Sequence, residues 1–537
     1  MRYERETAIS DNNNFGPRLG IAYDPFKKGK GVIRFGAGIF YNRVLLRTVG
    51  DFIQNSSGDL FQFDTNNIGT SGTDPRRIAV LGKIAQQFPS GYSSVTDLKN
   101  AITSLGFASS LGFTTNTATT GNPLRSVDPN LKIPESYQFN IGFEREISKG
   151  LVFEANYTVN RTANLWREFN PNAPVVPAGY SDFTSYLLAN PFVFTTAGAT
   201  TLTTRTYRFY LGAANDSSGV ATAQGGTTAC ATTGTVTCFV NLNSVNSTTT
   251  LPSIAVAGST TNSVGTPVGI ALAAVAQFRP NPNLSETARV ASIGNSFYHG
   301  LILELRSRFR KIGYGFGSTV RAAYTLSSTR DDGLNNTSNA EVNGDFSREW
   351  ARTLQDRRHR FAFSGTMETP WWLGRLRFAP LLRLGSPARF NLGYGVDRNL
   401  DDVSTDRPNF TGNISDIRYR EPGSDFPTTL AAQFSLPSIG ARSGNLPRNA
   451  GIGPSLFIFD LSVTREWKFA ERFKLRPIIE FGNILNATVF SFGSEFIDFN
   501  VLGATPTLTQ RTNFQNFLIP TRTYRQRDIR LGVRFDF

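Results

Sequence analysis

Asp528-Ile-Arg-Leu-Gly-Val-Arg-Phe-Asp-Phe537 alternates without a break. Ile529, Leu531, Val533, Phe535 and Phe537 fall on one face of an extended chain; Asp528, Arg530, Gly532, Arg534 and Asp536 fall on the other. A β-strand points successive side chains to opposite faces, so this strand has one apolar face and one charged face. The same period runs through 151–160, with Leu151, Phe153, Ala155, Tyr157 and Val159 against Val152, Glu154, Asn156, Thr158 and Asn160. It runs again through 457–466, where Arg465 breaks the end of the apolar row Phe457, Phe459, Leu461, Val463.

Working outward, the template predicts eleven strands: 18–24, 32–41, 137–147, 150–159, 298–310, 313–326, 359–369, 374–386, 457–468, 473–484 and 523–537. Several reach ten residues, the length that crosses a bilayer at a tilt; strands of soluble domains average about 5–6. The connections alternate short and long. Short ones lie at 25–31, 148–149, 311–312, 370–373 and 469–472, long ones at 42–136, 160–297, 327–358, 387–456 and 485–522. Tight turns at one end and long loops at the other are the mark of outer-membrane barrels. A soluble β-sandwich also alternates, but it rarely tolerates structureless loops of this length. The expected fold is all-β: an antiparallel transmembrane β-barrel of the outer membrane with long extracellular loops. Trp371 and Trp372 sit on a short turn, where an aromatic belt meets the periplasmic interface.

Composition agrees. Of 537 residues only 18% are charged, yet 12% are aromatic, including 44 Phe, which excludes a disordered chain. No stretch of about 18 apolar residues exists, so no transmembrane helix is expected. Two Cys and two His exclude a disulfide scaffold and a His/Cys-rich metal enzyme. The start, Met-Arg-Tyr-Glu-Arg-Glu-Thr, has no apolar signal segment, so a barrel-forming chain of this kind is expected to be a fragment of something larger.

No enzyme is expected. Gly313, Gly315 and Gly317 are read as lying inside an alternating strand with Tyr314 and Phe316 facing out, not as a phosphate cradle. His299 and His359 have no partner at ligand spacing. The net charge is +14, from 55 Lys and Arg against 41 Asp and Glu. Its basic residues follow the strand alternation rather than forming a nucleic-acid patch, so no nucleic-acid partner is expected. Arg306, Arg308 and Arg310 are assigned to one polar strand face, and Arg375, Arg377 and Arg383 to another. Together they predict a basic lumen face that pairs with Glu304, Glu480 and Asp460. No organic cofactor is expected. Asp397-Arg-Asn399-Leu-Asp401-Asp402 places oxygen donors at alternate positions, as a calcium loop does, but lacks its glycine and closing glutamate; Asp397, Asn399 and Asp401 are the candidate metal ligands. Between Phe209 and Phe278 the only charged residue is Asp216. In this low-complexity loop, assigned to the cell exterior, Cys230 and Cys238 are expected to form a disulfide, with Gly234 permitting a turn between them.

Seven stretches, in order, resemble one family. They are Asn14-Phe-Gly-Pro-Arg-Leu-Gly-Ile-Ala-Tyr-Asp-Pro25, Val32-Ile-Arg-Phe-Gly-Ala-Gly-Ile-Phe-Tyr41, Pro134-Glu-Ser-Tyr-Gln-Phe-Asn-Ile-Gly-Phe-Glu-Arg145, Asp356-Arg-Arg-His-Arg-Phe361, Asp406-Arg-Pro-Asn409, Phe481-Gly-Asn-Ile-Leu-Asn486 and Leu531-Gly-Val-Arg-Phe-Asp-Phe537. The family is the TonB-dependent receptors of the Oar-like type. The resemblance implies an outer-membrane transporter, a plugged barrel of 22 strands energised by the TonB complex. Signal peptide, carboxypeptidase-like domain, TonB box and plug have no counterpart here, so residues 1–537 are expected to be the C-terminal half of the barrel, strands twelve to twenty-two, with residues 2–8 as the tail of strand eleven. The implied function is energised import of a bulky solute: a metal chelate, glycan or peptide. The alternative is a surface or adhesion protein using the barrel to carry its loops; a passive porin is weaker because the family's barrels are plugged. The implied partners are outer-membrane lipid of a Gram-negative-type bacterium, the TonB complex through the missing N-terminal part, an extracellular solute, and the barrel-assembly machinery. That machinery would read Phe535 and Phe537 in the last strand as its signal.

Overall fold

The computed structural model describes residues 11, 14–26, 29–42, 61–63, 78–79, 104, 113–115, 124–197, 202–213, 220–226, 228, 230, 237–244, 266–282, 286–311, 313–335, 338–469, 473–492, 495–496, 517–524 and 526–537. Residues 2–8 and Gly234 lie outside them.

Eleven antiparallel strands form one meander: β1 (Arg18–Tyr23), β2 (Gly31–Tyr41), β3 (Glu135–Ser148), β4 (Leu151–Phe169), β5 (Thr287–Lys311), β6 (Gly317–Asp331), β7 (His359–Glu368), β8 (Leu376–Gly385), β9 (Leu456–Arg465), β10 (Phe473–Gly482) and β11 (Asp528–Asp536). Each pairs with the next in sequence. No helix among the described residues is long and apolar enough to cross a membrane.

Register carries the alternation from strand to strand. Ile21 lies opposite Phe35, Phe35 opposite Ile141, Ile141 opposite Tyr157, and Tyr157 opposite Leu301. Leu301 then meets Leu326. At the far side Phe378 meets Val463, Val463 meets Ile479, and Ile479 meets Leu531. One continuous apolar face results, and a one-residue slip in any pair would turn that strand's apolar row to the polar side. The strands at both margins carry this row into the open: Leu19 and Leu531 are 57% and 78% exposed. Among the described residues β1 pairs only with β2, and β11 only with β10.

The short connections lie at 24–30, 149–150, 312–316, 369–375 and 466–472, the long ones at 42–134, 170–286, 332–358, 386–455 and 483–527. Two expected boundaries move. Gly313, Tyr314 and Gly315 all take positive φ, so 313–316 is a turn and β6 begins at Gly317. The expected strand through Gly313 and Gly315 is therefore corrected. Gly374 and Arg375 likewise have φ of 81° and 50°, so β8 begins at Leu376. In the other direction β4 and β5 run well past their expected ends, to 19 and 25 residues. Beyond the bilayer length the period disappears, because Trp166, Arg167 and Glu168 are all buried.

That extended hairpin supports a cap built from the long connections. Within 170–286 a small sheet pairs Leu202–Tyr210 with Phe192–Ala197 on one side and, in parallel, with Thr237–Asn241 on the other. Two helices pack with it, α1 (Phe183–Ala189) and α2 (Pro267–Val275). Asp182 caps α1 through the Ser185 N–H, and Thr266 caps α2 through the Gly269 N–H. Phe183, Leu187, Tyr207, Val240, Ile270 and Val275 form its core. Cys230 and Cys238 are joined by a disulfide within that core, their Cα atoms 5.7 Å apart. Replacing both with Ala should loosen this subdomain by about 2–3 kcal/mol, the entropy of so short a closed loop. Hydrogen exchange over residues 202–210 and 237–241 reads that loss. Two reactive thiols in the unreduced, denatured protein would contradict the bond.

Candidate functional site

The polar face of the sheet is the first part of the site. Arg34, Arg306, Arg321, Arg377, Arg383 and Arg476 all lie on it, and each meets a carboxylate. Arg34 and Arg306 share Glu144 at 2.7 and 2.6 Å. Arg321 pairs with Glu304 at 2.9 Å, and Arg383 with Asp460 at 3.5 Å. Arg377 pairs with Glu368, and Arg476 with Glu466 at 2.6 Å. Side chains of both signs thus line the side that a barrel turns to its lumen.

Two of the six expected lumen arginines, Arg310 and Arg375, stand elsewhere. Ser307 pairs with Val320, but Arg310 pairs with Ser318, so β5 has one extra residue against β6. This is a β-bulge, and it reverses which face the next residues take. Arg310 therefore joins the apolar row, opposite Ser318, which faces Met367. Arg308 sits in the bulge itself, its N–H bonded to the Gly150 carbonyl at 2.8 Å. Arg375 belongs to the turn before β8. Arg306, Arg377 and Arg383 keep the expected place.

The second part is a buried polar network in the cap. Arg407 reaches two carboxylates at once: both Glu349 oxygens, at 2.9 and 3.0 Å, and Glu341 at 2.7 Å. Its Nε donates to the Leu446 carbonyl at 3.0 Å, and all three charged side chains are buried. Arg279 forks onto Asp402, which also accepts from Asn170 at 3.0 Å. Asn170 and Asn343 bond one another reciprocally at 2.7 Å. Arg398 donates to the carbonyls of Pro437, Ser244 and Leu242; burial lowers its guanidinium to about 10. These bonds tie the connections 170–286, 332–358 and 386–455 into one body. Connection 483–527 joins through Phe492, stacked on Phe390 at 4.1 Å, and through the Arg420 N–H to the Leu518 carbonyl at 2.8 Å. Gly444 permits the closest approach: a Cβ there would run into the carbonyl oxygens of Arg407 and Pro408.

The candidate calcium ligands fall inside this network and use their oxygens differently. Asp397 accepts from the backbone N–H groups of Leu400, Asp401 and Asp402 at 2.7, 3.2 and 2.7 Å. It thereby holds a turn in which Leu400 and Asp402 take positive φ of 66° and 72°. Asn399 accepts from the Asp401 N–H, and Asp401 accepts from those of Val403 and Asn343. The oxygens are turn-forming acceptors, and among the described residues no group of three His, Cys, Asp or Glu could hold a metal. Each oxygen that Asp397, Asn399 and Asp401 would offer a cation thus serves a backbone N–H group in this turn.

Burial pushes Asp397 and Asp406 well above the usual carboxylate range and Asp401 up to about 6. A carboxyl raised on folding stabilises the fold below its ordinary pKa and loses that contribution as pH rises through the folded value. The cap should therefore tighten on acidification through the window from about 6 down to about 4. Amide exchange at Asn343 and Val403, corrected for intrinsic rates, should be about tenfold slower at pH 5 than at pH 7. Faster exchange at pH 5 would contradict it.

Both histidines lie on the apolar face. His359 Nδ1 is 2.7 Å from the Tyr324 hydroxyl, and His299 stands opposite Val159 and Ser328. At the other end of the sheet, Phe535 stacks between Phe473 and Phe537, with ring centroids 5.8 and 6.2 Å away. Phe537 is 94% exposed.

The buried network escaped the sequence reading, because its Asp, Arg and Asn residues sit in segments that read as solvated loops. One signal was present: the Asp406-Arg-Pro-Asn409 and Asp356-Arg-Arg-His-Arg-Phe361 stretches carry the buried residues Asp406, Arg407 and Asp356.

No curated protein matches the chain in sequence. Among solved structures, the outer membrane transporter YddB from Escherichia coli aligns at 8% identity over 97% of this chain and 40% of its own, with a TM-score of 0.42. The ferripyoverdine receptor of Pseudomonas aeruginosa aligns at 8% over 97% and 33%, with a TM-score of 0.34. The FrpB iron transporter of Neisseria meningitidis aligns at 9% over 97% and 39%, with a TM-score of 0.33. This chain thus spans two fifths or less of the length of each of these proteins. A family model, that of the outer membrane β-barrel domain, matches residues 2–516. With its apolar face, its alternating connections and this match, the chain belongs to the outer membrane β-barrel domain family and resides in the Gram-negative outer membrane.

Proposed function

We propose that this chain is the C-terminal part of the barrel of a TonB-dependent receptor that imports a bulky solute: a metal chelate, glycan or peptide. The observation that carries the reading is the cap. Three long connections interlock at one end of the sheet through buried ion pairs, and a fourth joins them by a ring stack and a backbone bond, next to a polar face lined by arginine–carboxylate pairs. A rigid outer body beside a polar lumen suits capture of a solute too large for an open pore. Among the described residues β1 and β11 each pair with one strand only, which supports the half-barrel assignment. Ten antiparallel steps separate β1 from β11, so the two run the same way. An antiparallel closure then needs an odd number of further strands, and eleven more would give a barrel of 22.

The test is uptake by cells carrying the complete gene, with and without a protonophore, across chelated iron, oligosaccharide and peptide pools. Import of one class that collapses without the proton gradient supports the proposal. Binding of cells to a surface or matrix, with no energised import, would instead favour the adhesion platform, which the disulfide-braced, Thr- and Ser-rich part of the cap would serve.

A further inference from the structure

The apolar face ends, at the short-turn side, in arginines. Arg145 lies near the end of the outward row of β3, opposite Phe153 and Gly31, with exposed Ile147 beyond it. Arg310 closes that of β5, carried there by the bulge. Arg465 closes that of β9, opposite Leu376. Each lies a few residues from a tight turn, and two are stacked on aromatics of that rim. The Arg145 guanidinium lies 4.4 Å from the Phe26 ring centre, and Arg465 lies 5.0 Å from that of Trp467. Gly31 makes the first stack fit, since a Cβ there would come within 2.8 Å of the Phe26 ring.

The contrast with the polar face is the second observation. There Arg34, Arg306, Arg321, Arg377, Arg383 and Arg476 each have a carboxylate of this chain. Among the described residues Arg145, Arg310 and Arg465 have none. These three residues stand on the apolar face toward its short-turn end, the end at which Trp371, Trp372, Phe469 and Phe473 are exposed. A cation at the end of an apolar row reaches the headgroup layer while its stem stays along the hydrocarbon. The guanidinium fork matches a phosphate bidentately.

We propose that the short-turn rim is a docking surface for anionic phospholipid headgroups, with Arg145, Arg310 and Arg465 contacting their phosphates. The occupant is a lipid because the site is continuous with the lipid-facing row and because no acid of the described chain neutralises it. The proposal needs only the outer-membrane barrel and is independent of what the barrel transports.

The probe is an equimolar mixture of phosphatidylglycerol and phosphatidylcholine with identical chains, offered to the full-length protein in detergent. Retained lipid is then counted by mass spectrometry. The wild type should retain phosphatidylglycerol over phosphatidylcholine by about fivefold or more, at about fivefold per well-placed arginine before screening. The Arg145→Gln/Arg310→Gln/Arg465→Gln variant should fall to near parity, whereas Arg306→Gln on the polar face should keep the wild-type ratio. Each single variant should lower the ratio on its own, so a triple variant that fails to fold leaves the test intact. Parity in the wild type, or an unchanged ratio in every rim variant, overturns the proposal. So does complete displacement of phosphatidylglycerol by excess inorganic phosphate, which would mark a free-anion site.

Discussion

Changing Phe537 to Asp should cut outer-membrane insertion of the complete protein by about tenfold, since burying such a ring against lipid contributes about 2 kcal/mol and a factor of ten takes about 1.4. The reason lies in the sheet margin. Among the described residues β11 has β10 as its one neighbour, and its outward row Ile529, Leu531, Val533, Phe535 is exposed throughout. Such an edge offers unpaired backbone groups and an apolar row to whatever adds it to a sheet. Phe537 extends that row through its stack on Phe535, and a charge there faces the bilayer instead of the lumen. Asp536→Ala, on the polar face, should change surface-labelled protein by less than about twofold, since it removes only partly exposed pairs with Arg476 and Arg534. Equal surface levels for wild type and Phe537→Asp would remove the role assigned to the aromatic end of this strand.

The second large effect belongs to the cap. Arg407→Met should destabilise it by about 3–5 kcal/mol, because Glu341 and Glu349 would stay buried without their cation. The barrel should still insert, since none of these residues lies on a strand of the main sheet. The readout is therefore split. Limited proteolysis should cut the connections 332–358 and 386–455 at least tenfold faster, while heat-modifiable migration and surface level stay near wild type. Glu349→Gln should have a smaller effect, because the amide keeps one acceptor toward Arg407 and Glu341 remains as counter-ion. Wild-type protease resistance in Arg407→Met would show that the cap is held by its apolar clusters alone.

Most of the transmembrane sheet was legible in the sequence. A strand buried on one face and polar on the other must alternate, and register then propagates the pattern to its neighbours. The reading failed where geometry leaves that period. At Ser307–Arg310 a bulge adds one residue and reverses the faces, so Arg310 was assigned to the lumen although its spacing from Arg306 looked regular. At Tyr314 and Arg375 positive φ turns the chain, though the residue types continue the alternation. The upper parts of β4 and β5 were missed for the opposite reason: Arg167 and Glu168 are buried in the cap, so polarity no longer marks a face. In the cap itself, the spacing of Asp397, Asn399 and Asp401 does not reveal that their oxygens hold a turn. Spacing alone does not tell whether an oxygen faces a metal or a neighbouring N–H. Two partners of this segment, Asn343 and Glu341, lie more than fifty residues away in the sequence.

One face of this sheet meets lipid and the other meets water. This two-sidedness is tested most directly by single cysteines at six successive positions of β5, from Leu301→Cys to Arg306→Cys, in the complete barrel reconstituted into vesicles. Cys230 and Cys238 are bonded to each other and give no background thiol. The expected result is a period of two. A fluorophore at 302, 304 and 306 should be quenched by an aqueous ion, and one at 301, 303 and 305 by a nitroxide on the lipid chains. Equal quenching by the aqueous ion at all six positions, or the reverse phase, would contradict it.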